Sequence, residues 1–167
     1  MKTLTSAGAN KLIKALEDKK NYLLSLEAGS SIYILAEGEK EEKPNYDYLV
    51  TSEELEEINL SVRKIKHAIN VFNTTTVLNP LGITIDEALI KMAQLSNRKA
   101  QLDIMRKRLP KERQSNPYMR SNIIEYQYVN YDLTRVSEDY DQLCEQITDI
   151  QLALDTCNQT QTFEVDL

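Results

Sequence analysis

The stretch from Asp132 to Asn158, DLTRVSEDYDQLCEQITDIQLALDTCN, decides the fold class. Leu133, Val136, Tyr140, Leu143, Ile147, Ile150, Leu154 and Cys157 recur in it at alternating intervals of three and four residues. That is the period of one helix face, sustained over about four heptads with no charged residue in the seam. The spacing predicts a helix over 132–158 that cannot bury its stripe alone.

Working outward, three more segments carry the same period. Leu55, Ile58, Val62, Ile65, Ile69 and Phe72 form an unbroken seam, which predicts a helix over 52–73. Thr51-Ser52-Glu53-Glu54 before it has capping-box spacing. Ile85, Ala88, Met92, Leu95, Leu102 and Leu109 predict a helix over 85–109, opened by a second box at Thr84-Ile85-Asp86-Glu87 and stopped by Pro110. Lys99 and Arg106 intrude on that seam. Leu12, Leu16, Leu23 and Leu26 predict a first helix over 6–28, with Ser6 as N-cap and Lys19 as a polar gap. Helices of this length measure roughly 33–40 Å. Four of them packing together form a mainly α fold: one domain over 1–167, an antiparallel four-helix bundle with coiled-coil-like seams.

Two connections read as strands. Residues 31–36 contain the β-branched, apolar run Ser31-Ile32-Tyr33-Ile34-Leu35, and residues 122–129 alternate, with Ile124, Tyr126 and Tyr128 on one side. In an up-down-up-down bundle both emerge at one pole, where they are expected to pair as a small antiparallel ribbon. Asn79-Pro80-Leu81-Gly82 is the strong turn signal at the other pole.

Composition narrows the chemistry. The 167 residues include one His, two Cys, four Gly, four Pro and no Trp. A single histidine, His67, with Lys64 three residues before it, does not supply the Glu-x-x-His pairs of a di-iron bundle, and a zinc site lacks ligands. Four scattered glycines make no phosphate loop. No cofactor is expected. Cys157 falls on a core stripe and reads as a small hydrophobe. No window is apolar enough for a signal peptide or a membrane span. The expected location is therefore cytoplasmic, with Cys144 and Cys157 as reduced thiols.

Net charge is −6, which opposes nucleic acid and anionic lipid as global partners. Its distribution is uneven. Residues 98–120 carry a local +6, residues 37–57 a local −7 and residues 132–166 a local −8. Arg106, Lys107, Arg108, Lys111 and Arg113 lie near Tyr118, Tyr126 and Tyr128, making an anion or partner contact with cations for phosphates and rings for stacking. Against that stands a plain role for cations at a helix C-terminus, neutralised by the acidic run expected at the same pole. Leu60, Ile90, Ile104 and Leu152 fall opposite the seams and are candidate oligomer contacts. A neighbouring subunit can then bring its basic pole against the acidic final helix.

Glu53, Glu54 and Glu57 fit the Glu-Glu-x-x-Glu pattern of all-helical nucleotide pyrophosphohydrolases, with Glu138 and Asp141 as the partner Glu-x-x-Asp. The two halves stand much farther apart in sequence than in that family, and acids in a first turn also complement the helix dipole.

Thr84-Ile85-Asp86-Glu87-Ala88-Leu89 opening a helix, Ser121-Asn122-Ile123-Ile124-Glu125-Tyr126 entering a strand, and the long final helix ending near Asn158 with Thr160 and Thr162 beyond carry a family resemblance. In these stretches the chain resembles a small bacterial helical family, some of whose members are labelled septicolysin-like. The resemblance implies a helical protein of unknown function and transfers no site residues. The cytolysin activity in the label does not carry over to a sequence with no membrane-inserting segment.

The reading that follows is a non-enzymatic oligomeric assembly or protein-interaction module. Two alternatives stand beside it: a Mg-dependent nucleotide pyrophosphohydrolase, and a binder of nucleic acid or phosphate ligands through segment 98–120.

Overall fold

The structure is a computed structural model and describes residues 1–114 and 124–167. It is mainly helical. In chain order the elements are β1 (Lys2–Thr5), α1 (Ser6–Ser30), α2 (Tyr48–Thr75), β2 (Val77–Leu78), β3 (Ile83–Thr84), α3 (Ile85–Arg106), β4 (Lys111–Arg113), β5 (Tyr126–Tyr128), α4 (Leu133–Thr160) and β6 (Thr162–Val165). The four helices lie where the periodicity places them. The strands form three two-stranded antiparallel sheets, β1–β6, β2–β3 and β4–β5. The chain divides into two compact units, Met1–Thr76 with Asp155–Leu167, and Val77–Leu154.

In the first unit α1 and α2 pack as an antiparallel hairpin. Lys66 meets Glu17 at 3.1 Å and Lys19 meets Glu54 at 3.1 Å, so chain order runs in opposite directions. The α2 seam faces inward as its period requires: Ile58, Ile65 and Phe72 are buried, and Leu55, Val62 and Ile69 are half-buried. Thr51 joins them one heptad earlier. On α1 the stripe differs from the expected one. Ser6, Ala9, Ile13 and Leu23 are buried, while Leu12, Leu16 and Leu26 flank them half-buried. Lys20, not Lys19, falls between Leu16 and Leu23 on this stripe, and its Nζ donates to Asn59 Oδ1 at 2.8 Å. Leu12 and Leu16 pack against the cluster that Ala9 and Ile13 form with Ile65, and the small Ala9 allows close approach there.

The β1–β6 ribbon closes this core. Lys2 pairs with Val165 and Thr5 with Thr162. Val165 is buried against Ala9, Ile13 and Ile65, and Phe163 packs on Phe72 with ring centroids 5.0 Å apart. Short alternation in Thr162-Phe163-Glu164-Val165 is the signal that announces this strand.

The second unit begins with the β2–β3 hairpin, whose loop is the Asn79-Pro80-Leu81-Gly82 turn. Gly82 takes a left-handed φ of 68°, which suits the residue without a Cβ. Helix α3 then starts on a complete capping box. Glu87 N donates to Thr84 Oγ1 at 3.2 Å, and Thr84 N donates to Glu87 Oε2 at 2.8 Å. The C-terminal half of α3 lies beside the first half of α4, in opposite chain order. Arg106 covers the Tyr140 ring, and the Tyr131 hydroxyl donates to the Met105 carbonyl at 2.9 Å. Leu78, Ile85, Ala88, Leu102, Val136, Ile147, Ile150 and Leu154 are the buried apolar residues of this unit.

Several expectations are corrected. The ribbon expected between 31–36 and 122–129 does not form. Tyr126–Tyr128 pairs instead with Lys111–Arg113, and Ile32–Ala36 lies outside any strand. The observed pairing closes a much shorter loop and costs less chain entropy. The rest of the expected second strand, Asn122 and Ile123, lies outside the described residues, as do Tyr118 and Arg120. Thr5, not Ser6, caps α1, its side chain accepting from Gly8 N at 3.1 Å. The second helix starts one turn earlier than the Thr51 box implies. Asp47 caps it by accepting from Leu49 N and Val50 N, and Thr51 turns inward to donate to the Asp47 carbonyl at 2.8 Å. Helix α3 stops at Arg106, because Pro110 restricts the residues before it as well as its own.

Candidate functional site

The basic segment is built on the C-terminus of α3 and the β4–β5 ribbon. Asp103 gathers the first two cations. Arg106 lies 2.8 Å from it, Lys107 pairs with its other oxygen, and together they hold the carboxyl below its ordinary range, Lys107 first. The spacing is i,i+3 and i,i+4, so one turn of helix brings all three together. Arg106 also sits 3.9 Å from the Tyr140 ring centroid, with Lys99 5.6 Å from the same ring. The two cations that interrupt the α3 seam thus pack against Tyr140, the aromatic member of the α4 seam.

Beyond Pro110 the chain turns into β4. The register sets Lys111 opposite Tyr128 and Arg113 opposite Tyr126, so these four share one face of the ribbon. Lys111 Nζ lies 4.1 Å from the Tyr126 centroid and 5.4 Å from that of Tyr128. All four are exposed, as are neighbouring Leu109 and Ile124. Glu112 and Gln127 take the other face, where they join Arg108, Leu109 and Val129 around a cleft of about 260 Å³. A carboxylate in that cleft offsets Arg108 and makes it a poor anion seat.

A second polar surface caps the α1–α2 hairpin. Between Ser31 and Asp47 the chain is irregular, with a turn at Glu37 and Gly38. The Tyr33 hydroxyl donates to Glu41 at 2.7 Å, and the Tyr46 hydroxyl donates to Glu27 at 2.6 Å, tying the loop to the end of α1. The carboxylate partner of Tyr46 stabilises the neutral phenol and pushes its pKa up to about 12; Glu41 raises Tyr33 in the same way. Ile32 and Ile34 are 80% and 93% exposed, and Tyr48, Leu49 and Val50 at the start of α2 are also exposed. This end bears the acids of segment 37–57.

The remaining candidates are separated. Leu60 is on α2 in the first unit; Ile90 and Ile104 are on α3 and Leu152 on α4 in the second. Each is exposed, as its place opposite a seam requires. Glu53, Glu56, Glu57 and Leu60 line an open groove on α2, while Glu138 and Asp139 face Arg135 on α4. Among the described residues no group of three or more His, Cys, Asp or Glu side chains is placed to hold a metal ion. Burial raises the Cys157 thiol and keeps it protonated. Among the described residues no helix is long and apolar enough to cross a membrane.

A solved structure of a functionally unknown conserved protein from Corynebacterium diphtheriae is similar to this chain. It matches over 98% of this chain and 100% of its own, with 17% identity and a TM-score of 0.61. That likeness is one of fold. No family model and no curated protein matches this chain. Sequence reasoning named the five cations but missed Asp103 and Tyr140. The helical spacing from Asp103, and the coincidence of Lys99 and Arg106 with a seam facing a tyrosine, are the signals that reveal them.

Proposed function

We propose that this chain is a non-enzymatic, cytoplasmic assembly module that associates with further copies of itself. The helices, with coiled-coil-like seams on α2 and α4, serve as a scaffold that presents contact surfaces. One observation carries the reading: exposed Tyr126 and Tyr128 stand on one face of the β4–β5 ribbon with Lys111 and Arg113. Apolar and aromatic surface rimmed by charge is typical of an interaction site. Cations at its rim supply orientation and rate of encounter, and apolar burial supplies affinity. Leu60 on the first unit, and Ile90, Ile104 and Leu152 on the second, offer separate apolar contacts on the helices. The resemblance to the septicolysin-like family fits this reading without adding an activity.

Sedimentation at low and high ionic strength tests it. We expect an oligomer at tens of micromolar protein that salt loosens only in part, since exposed ion pairs contribute about 0–1 kcal/mol each. A monomer in both conditions overturns the reading. The Glu-Glu-x-x-Glu spacing of Glu53, Glu54 and Glu57 is the feature behind the second reading, Mg-dependent hydrolysis of nucleotides. Turnover of a nucleoside triphosphate that needs Mg²⁺ and is lost in Glu54→Gln and Glu57→Gln chains decides for that alternative.

A further inference from the structure

The two exposed surfaces have opposite charge and matching needs. Strand β4 lies in segment 98–120 and puts Lys111 and Arg113 on the tyrosine face of the ribbon, with Glu112 on the other face, and the connection from α1 into α2 overlaps the acidic segment 37–57. Each combines its charge with exposed apolar side chains, Tyr126 and Tyr128 on the ribbon, Ile32 and Ile34 on the connection. We propose that these are the two halves of one interface between copies: the acidic, apolar connection of one chain docks on the basic, tyrosine-bearing ribbon of another. The proposal rests on the self-association reading above and names the surfaces that carry it.

Three observations favour a second copy as the occupant. The first is charge. Lys111 and Arg113, the two cations on the tyrosine face of the ribbon, find their complement in the acidic connection that every other copy displays. The second is backbone. Ser31-Ile32-Tyr33-Ile34-Leu35 has the β-branched and aromatic composition of a strand, yet has no strand partner among the described residues. A two-stranded ribbon leaves one edge of each strand unpaired, and an added strand satisfies both sides. The third is apolar surface. Ile34 at 93% and Ile32 at 80% exposure gain from cover, and the rings of Tyr126 and Tyr128 provide it. Helix α4, the other acidic block, is the weaker candidate. Leu152 is its one strongly exposed large apolar residue among the described residues, and Glu138 and Asp139 already face Arg135. The contact joins two different surfaces, so it is heterologous. It builds a ring when its rotation closes and an open chain of copies when it does not.

Charge exchange on the full-length chain tests the proposal. Glu37→Lys with Glu42→Lys reverses charge on the connection; Lys111→Glu with Arg113→Glu reverses it on the ribbon. All four side chains are exposed, so folding is checked by an unchanged helical circular dichroism spectrum. Each double variant alone is expected to self-associate about tenfold more weakly than the parent in sedimentation. An equimolar mixture of the two presents complementary surfaces again and is expected to recover the parent's association. Ile34→Ser is expected to weaken association at high salt as well as low. If the parent associates but neither charge variant weakens it, or if mixing fails to restore it, this interface is wrong while self-association stands. A parent that is monomeric in both salts removes both. Capture of a labelled single-stranded oligonucleotide that is abolished by Lys111→Glu with Arg113→Glu, with self-association unaltered, identifies the ribbon as a nucleic-acid surface and overturns the proposal.

Discussion

Ser6 shows how much a single position can reveal. Its hydroxyl is buried at the start of α1 and has no hydrogen-bond partner among the described residues, because Thr5 holds the capping role beside it. A buried hydroxyl without a partner carries a desolvation cost that a methyl group does not. Ser6→Ala is therefore expected to raise stability by about 1 kcal/mol, read as a higher midpoint in urea with an unchanged slope. The same neighbourhood explains a limit of pattern reading. Thr5 and Ser6 are both good N-caps, and only the backbone decides which one turns out of the helix. Lys19 and Lys20 pose the same choice on the stripe, and the side chain that reaches Asn59 settles it. Tyr140, by contrast, sits on the stripe its period assigns, but the cations stacked on it belong to a helix more than thirty residues earlier, beyond the reach of local periodicity.

Among the elements, α3 has the most legible beginning. Thr84 and Glu87 satisfy each other's backbone donors, and the hydrogen bonds from Thr84 lower the Glu87 carboxyl pKa below its ordinary value of 4.5. A lowered carboxyl pKa stabilises the folded state above the unfolded pKa, and that stabilisation is lost as pH falls through the folded one. Protection of the first-turn amides of α3, taken relative to the intrinsic exchange rate at each pH, is thus expected to fall as the medium is acidified below the ordinary carboxyl value of 4.5, and a Glu87→Gln chain is expected to lose that pH dependence while keeping part of the cap. Helices were readable because their signal is internal: seam, cap and stop all lie within one stretch. Strands were readable only as composition. Tyr126–Tyr128 was recognisable as a strand, but its partner Lys111-Glu112-Arg113 is a charged triplet with no strand signature, and only the paired ribbon distinguishes it from a helix tail. Ile32–Leu35 has the signature and no partner, so its propensity alone does not make a strand.

For the whole molecule, the pairing of β1 with β6 matters most. Phe163 anchors β6 on α2 through Phe72, and Val165 completes the cluster around Ile65. Phe163→Ala removes a half-buried ring and is expected to cost about 2–3 kcal/mol. Its signature in hydrogen exchange is joint loss of protection in β1 and β6, since neither strand has another partner among the described residues. The composition excluded no such closure and gave little hint of it, because pairing across nearly the full length of a chain leaves no local trace. It has a consequence for synthesis. Lys2–Thr5 leaves the ribosome early and then waits, while the whole of Val77–Leu154 is translated, before its partner strand exists. At about 5–20 residues per second the delay is on the order of ten seconds. During that interval the α1–α2 hairpin exposes the apolar side that Phe163 and Val165 later cover, so the nascent chain passes through a sticky, half-roofed state that a chaperone is suited to shield.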